Sequence, residues 1–349
     1  MRRWLRLSAI RLSAAGAVVL AACSEPASAP QQSQVQQQQP GFTPANPVFG
    51  SLFNSPGANV HILATQGAFA GPLASGPFAP GNGGRPSQGT GIYYHGGPII
   101  TTPRIVAIYW SGSTIFNGGP AAGTTGTGPQ DGSLVGTFLR SLGGTGYWNI
   151  NSTYTNASGG HVANALAYGG FWADKTNAPA SGANVSDAAV QSEVVKGLTS
   201  GALTYDASTL YAVFSGPGVN LGGGFGTQYC AYHGNFTWNG HDVKYAVMPY
   251  NQTYPSACTA GSGISPTSDP AAAAEVNTLA HETEETMTDE NLNAWYDNRG
   301  YENADKCAWN FGGVHSGSTG VYNQTMGGVN WLIQMNWVNA GSGGCAQTH

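Results

Sequence analysis

Charge is scarce in this chain. Only 8% of its 349 residues are Asp, Glu, Lys or Arg, against about 25% in an ordinary soluble domain, which excludes a charge-rich disordered protein and a coiled coil. Basic residues are scarcest of all. Four of the twelve, Arg2, Arg3, Arg6 and Arg11, stand at the extreme N-terminus, leaving eight against seventeen acidic residues elsewhere. A protein held to nucleic acid through phosphates needs the opposite sign, so no nucleic-acid partner is expected. A G-x-S-x-G elbow is missing, and Gly222-Gly223-Gly224 lacks the Lys-Ser/Thr ending of a phosphate-binding loop, which leaves it as a turn. The chain is instead rich in glycine (52) and proline (20), so its length overstates its folded core.

The N-terminus reads as an export signal. Arg2 to Arg11 is a basic region running into the apolar stretch 12–22, too short to span a bilayer permanently. Leu20-Ala21-Ala22-Cys23 resembles the bacterial lipobox, in which the cysteine is lipidated and becomes the first residue; the alternative is an ordinary signal peptide containing a Cys. Ser24 after Cys23, by resemblance to lipoproteins of diderm bacteria, implies the outer membrane. The expected organisation is a signal peptide over 1–22, a tether over 23–90 and one compact domain over 91–349, giving an extracytoplasmic, membrane-anchored lipoprotein or a secreted protein. The tether is rich in Pro, Gln, Ser, Ala and Gly and cannot bury enough apolar area to offset its ordering entropy. Within it Phe49, Leu52, Val60, Ile62 and Leu63 form an apolar patch, a candidate for an added strand.

The compact part alternates strands and helices. Residues 104–110, 209–214 and 243–248 are β-branched or aromatic runs bounded by turn residues and read as strands. Leu134, Val135, Phe138, Leu139 and Leu142 recur at helical spacing, as do Val190, Val194, Val195 and Leu198, each set behind capping residues. A last strand is expected over 331–337. The fold class is therefore α/β, a single domain with a mixed sheet, packed helices and long Gly-rich loops. Setting Cys23 aside leaves Cys230, Cys258, Cys307 and Cys345, an even number that suits disulfides in an exported protein. Of three connectivities, pairing of neighbours, Cys230 with Cys258 and Cys307 with Cys345, is the expectation. A rival reading makes Cys230 and His233 of C-A-Y-H half of a zinc site.

Nine of the seventeen acidic residues (Glu275, Glu282, Glu284, Glu285, Asp289, Glu290, Asp297, Glu302 and Asp305) lie between 275 and 305, accompanied by Arg299. Such a concentration needs a cation or a solvated face. Asp269-Pro270 and four alanines predict a helix from 270 to about 288, with an N-cap, a proline in its first turn and strong helix formers. Val276, Leu279, Ala280, Thr283 and Met287 make its expected buried stripe.

That helix carries His281-Glu282-Thr283-Glu284-Glu285. Residues four apart share a face, so His281 and Glu285 can grip one ion while Glu282 faces a bound water. The pattern is H-E-x-x-H with Glu for the second histidine; in that motif the metal acidifies its water and the glutamate takes the proton. Glu302, 17 residues after Glu285, is the expected third ligand. Its spacing resembles the zinc peptidases, the zincins, whose third ligand is a glutamate on a following helix; the resemblance implies a zincin-like fold and an orienting role for Asp305. Asp289 is an alternative ligand if the helix ends there, and His315 is a candidate to polarise a substrate carbonyl. One divalent metal is expected, zinc first, with calcium or manganese suited to the hard ligand set.

Y-Y-H-G-G-P-I-I at 93–100, the strand ending Ile108-Tyr109-Trp110, F-L-R-S-L and Y-W-N-I-N within 138–151, Cys230 to His233, L-A-H-E and N-A-W-Y within 279–296, and Cys307 and Cys345 together resemble the phosphate-induced-protein, or EXORDIUM-like, family of plants and bacteria. The resemblance spans roughly 91–349. It implies an extracytoplasmic protein, linked in plants to growth and cell walls, and supplies no catalytic activity to carry over. Plant members often lack an intact His-Glu pair here, so His281, Glu282 and Glu285 mark a bacterial type.

Two functions follow. One is a metal-dependent hydrolase, a peptidase with Glu282 as general base acting on a peptide substrate. The other is a non-catalytic cell-surface or cell-wall binding protein with a structural cation, contacting surface polymers through exposed Trp and Tyr. A glycosidase using Glu282 and Glu302 as its two carboxylates is a third.

Overall fold

The structure is a computed structural model that describes residues 60–66 and 91–349. The expected signal peptide, Cys23, Phe49, Leu52 and most of the expected tether lie outside the described residues.

Seven strands form a mixed sheet: β1 (Val60–Ala64), β3 (Arg104–Trp110), β4 (Thr124–Gly126), β5 (Ala167–Ala173), β6 (Thr209–Ser215), β7 (Tyr229–Trp238) and β8 (His241–Met248), in the order β1-β7-β8-β6-β3-β5-β4. The centre, β8-β6-β3-β5, is parallel. The edges are antiparallel, with β7 and β1 on one side and β4 on the other. Strand β2 (Tyr93–Tyr94) pairs instead with β9 (Trp295–Tyr296). The α/β class, single domain and mixed sheet are those expected.

Helices cover both faces. The principal ones are α1 (Leu134–Leu142), α2 (Asp187–Ser200) and α4 (Pro270–Thr288), with a single turn α3 (Pro255–Cys258) before the last. Ser133 and Ser186 cap α1 and α2 through their side chains, and Asp269 accepts from two amides at the start of α4. Neighbouring residues of a strand point to opposite faces, and β7 shows which helix lies where. The Tyr232 hydroxyl donates to Asp187 of α2, and next to it a ring nitrogen of His233 meets Glu282 of α4.

Helix α4 departs from expectation in one respect. Its predicted stripe is buried, but so is every residue from Ala272 to Thr288, which excludes the solvated face. A polar helix enclosed on all sides must find partners for its side chains. Glu275 accepts from the Asn251 backbone amide at 3.2 Å, Glu284 from the Asn336 side-chain amide, and the Thr286 hydroxyl donates to the Glu282 carbonyl at 2.7 Å.

The expected strand over 331–337 is broken. Short strands β13 (Val329–Trp331) and β14 (Asn336–Val338) flank an irregular stretch whose backbone bonds leave the sheet pattern: Ile333 N donates to Asn323 Oδ1, Gln334 N to Asn277 Oδ1 and Met335 N to the Asn310 carbonyl. Strand β14 pairs with β15 (Gly344–Ala346). Small hairpins β10–β11 (His315–Gly317, Gly320–Tyr322) and β12–β13 (β12, Gln324–Met326) precede them. Cys230 is bonded to Cys258 and Cys307 to Cys345. The first bond uses the Cys230 thiol, so the half-site of Cys230 and His233 does not form.

Candidate metal centre

Four separate parts of the chain meet on one side of α4: the helix itself, the 302–305 stretch, β1 and β7. The helix supplies His281, Glu282 and Glu285. The loop after β9 supplies Glu302, and the 3-10 turn Asp305–Cys307 supplies Asp305. The sheet supplies two histidines the sequence did not single out for the site: β1 and β7 pair in a register that sets His61 directly opposite His233, with ring centroids 5.7 Å apart. All seven side chains are buried. Glu302 arrives on an irregular loop, not on the following helix that the zinc-peptidase resemblance implied.

Two groups have donor atoms close enough to share an ion, His61 with Glu285 and Asp305, and His233 with Glu285 and Glu302, each set within 4.8 Å. Hydrogen bonding separates them. In the first, His61 Nε2 already lies 2.6 Å from Asp305 Oδ2, and Glu285 Oε1 accepts the Asp305 backbone amide at 2.9 Å. In the second, His233 Nε2, Glu285 Oε2 and Glu302 Oε2 are buried with no hydrogen-bond partner. His233 Nε2 stands 3.7 Å from Glu302 Oε2. That is too long for a hydrogen bond and near the separation of roughly 3.3–3.6 Å that follows for two ligands of a tetrahedral zinc with bonds of about 2.0–2.2 Å. Glu285 Oε2 stands 3.7 Å from the other ring nitrogen, His233 Nδ1. Orphaned buried polar atoms are rare and costly, so one nitrogen and two carboxylate oxygens left unpartnered in one enclosed group suit a divalent cation.

The imidazoles differ in role. His233 Nδ1 lies 3.0 Å from Glu282 Oε2; a proton on Nδ1 satisfies that carboxylate and leaves the Nε2 lone pair free, the usual state of a metal-bound histidine. Burial, then the positive fields of His61 and His281, hold His233 well below the ordinary imidazole range and so neutral. His281 is held differently. Gln334 accepts the Trp309 amide through Oε1 and donates through Nε2 to the Ala304 carbonyl, which fixes its amide so that Nε2 also faces His281 Nδ1 at 3.0 Å. His281 Nε2 stands 3.0 Å from Glu285 Oε1 and 3.5 Å from Asp305 Oδ1 but, like His233 Nε2, is buried with no hydrogen-bond partner; burial opposes its charge, yet Glu285 and Asp305 hold it well above the ordinary imidazole range. The sequence expected His281 among the ligands; its unpartnered Nε2 faces Glu285 and Asp305 from α4, and His233 adds a second unpartnered imidazole nitrogen from the sheet.

The carboxyls feel each other strongly. Burial, reinforced by Glu285 and opposed by His281, pushes Glu282 well above the carboxylate range; burial together with Asp289 and Glu285 does the same for Glu302. Burial also raises Glu285, with Asp305 adding to it. Asp305 moves the other way, because its two histidine neighbours outweigh its desolvation. His61 rises to about 9: burial opposes its charge, but Asp305 prevails. Four acids and three imidazoles thus share one enclosed space in which a divalent cation would relieve the repulsion.

Of the remaining expected residues, Asp289 borders the centre: its charge bears on Glu302, and its Oδ2 is buried with no hydrogen-bond partner. Asp289 ends α4 and uses Oδ1 to accept the Asn293 and Ala294 amides, each at 2.6 Å, which fixes the loop into β9. There the motifs at 93–98 and 293–296 meet: the His95 ring stacks on Tyr296 at 3.7 Å, and the Gly97 amide donates to the Asn293 carbonyl at 2.9 Å. A Cβ on Gly97 would lie 1.9 Å from Asn293 Oδ1, so only glycine allows this approach. His315 is exposed on β10, its ring beside Tyr322, and has no ion pair or hydrogen bond to the centre. No described Trp or Tyr is exposed, since Val314 is the one exposed large hydrophobic residue among the described residues. Tyr205, Trp238, Trp309 and Tyr322 are partly exposed.

His233 could have been found through C-A-Y-H had the histidine been read without its cysteine. His61 carried no signal, because it lies in low-complexity sequence and reaches the centre only through strand pairing. No family model, no curated protein and no solved structure matches this chain.

Proposed function

We propose that this chain is a metal-dependent hydrolase that cleaves peptide bonds, with one divalent ion, zinc first among candidates, held by His233, Glu285 and Glu302. The observation that carries the reading is the enclosure of their three unpartnered buried atoms in one group beside Glu282, whose Oε1 is also unpartnered. Bound there, a divalent ion supplies an acidified water and a Lewis acid for a carbonyl. Glu282 Oε2 holds His233 in the tautomer that presents Nε2, and Oε1 is left to take a proton. His281 and the Asp305 amide hold Glu285 by its other oxygen, so that Oε2 faces the ion. An α4 bearing H-E-x-x-E beside a mixed sheet with an antiparallel edge supports a zincin-like architecture. Membership of the EXORDIUM-like family as a bacterial type rests on the sequence motifs at 93–100 and 279–296. Two disulfides suit an oxidising compartment and an exported chain, anchored through a lipid at Cys23.

A second reading, a structural cation in a non-catalytic surface protein, is favoured by the burial of the whole ligand set. Glu282→Gln separates the two. For a hydrolase, turnover in a peptide-library screen falls by about 10²–10⁴ while metal content is kept. Unchanged turnover, or no turnover in the metal-loaded parent chain, gives the site to the structural cation.

A further inference from the structure

The metal reading leaves His61 without a role, although it is among the best-held side chains of the centre. Its Nε2 meets Asp305 Oδ2 at 2.6 Å and its Nδ1 stands 3.4 Å from Glu302 Oε1. Glu302 therefore has one oxygen turned to His61 and the other, Oε2, turned without a partner toward His233. Asp305 is likewise bound at both ends, since Oδ2 also accepts the Glu302 backbone amide at 3.3 Å and its own amide donates to Glu285. His61 thus grips the two acids that fix the loop ligand.

Strand β1 brings it there. Val60 to Leu63 are buried and paired one for one with Gly234 back to Ala231, and the indole of Trp309 donates to the Ala64 carbonyl at 2.9 Å. Side chains alternate along a strand, so His61 faces α4 while Ile62 faces the opposite side of the sheet.

Resting on the metal reading above, we propose that His61 is a positioning residue of the metal centre: it holds Glu302 and Asp305 so that Glu302 Oε2 faces the ion, and the 60–66 segment is a working part of the site. His61 does not itself ligate. Its ring nitrogens are both turned to carboxylates, and outer partners of this kind typically change metal affinity by about 10–100-fold.

The test is zinc affinity of the full chain, by competition with a chromophoric chelator, for the parent, His61→Ala, His61→Gln and Ile62→Ala. His61→Ala is expected to bind zinc about 10–100-fold more weakly, and His61→Gln, which keeps an amide donor for one carboxylate, to recover part of the loss. Ile62→Ala weakens the same strand from its other face and should lower the thermal midpoint without changing affinity. Equal zinc affinity in His61→Ala and the parent overturns the proposal, as does an equal loss in Ile62→Ala, which would mean that only the strand matters. If His61→Ala does not fold, His61→Gln is compared with Ile62→Ala by the same criterion, and equal losses overturn the proposal. A parent chain that binds no zinc, manganese or calcium overturns the metal reading itself, and with it this one.

Discussion

At the scale of single residues, burial governs how these acids behave, outside the metal centre as well as within it. Glu193 on α2 is held up to about 8, against an ordinary 4.5, by burial and by Asp174 beside it, with Lys196 opposing. A carboxyl whose folded value lies above its unfolded one contributes its stability fully below the unfolded value and loses it as pH rises through the folded one. Stability should therefore fall between about pH 4.5 and 8, and Glu193→Gln should flatten that fall. Urea midpoints at three pH values would show it; parallel curves for the two proteins would contradict the assignment. The candidate site was legible residue by residue only where spacing reports geometry. Glu285 follows His281 by one helical turn, and Glu302 follows at a spacing that peptidases use, so both were expected at the ion. The place of His233 at the centre was not legible, because it reaches Glu282 and Glu302 from β7, a strand far from both along the chain.

At the scale of elements, α4 was readable because local signals specify it: Asp269 as a cap, proline in the first turn, then alanines. Its all-round burial was not, since that depends on what packs against it. Strands β5 and β7 escaped notice because Gly169 and Gly170 interrupt one, and Gly234 and Asn235 the other. Strand β1 forms where Val60, Ile62 and Leu63 marked a candidate added strand; what the sequence did not show was its place in the core beside β7. Its docking makes a quantitative claim. Leu63 is fully buried, so Leu63→Ala should cost about 2–5 kcal/mol in chemical denaturation. A loss within the range of a surface change, about 0.5 kcal/mol, would show that β1 is only loosely laid on the sheet.

At the scale of the whole molecule, the fold works by bringing distant segments to α4 and fastening them there. The Cys307–Cys345 bond spans 38 residues and ties the turn that carries Asp305 to the last hairpin, where Asn336 meets Glu284. Replacing both cysteines with serine should lower stability by about 2–4 kcal/mol and weaken zinc binding, measured by denaturation and chelator competition. Undiminished affinity would mean that α4 and the sheet hold the acidic turn without the bond. The central claim is that these segments close around a cation. Its most direct test is elemental mass spectrometry on the untagged chain and on Glu302→Gln, both purified without chelator. The account predicts about one equivalent of divalent metal per chain in the parent and its loss in the variant. No metal in either protein, or the same metal in both, would contradict it.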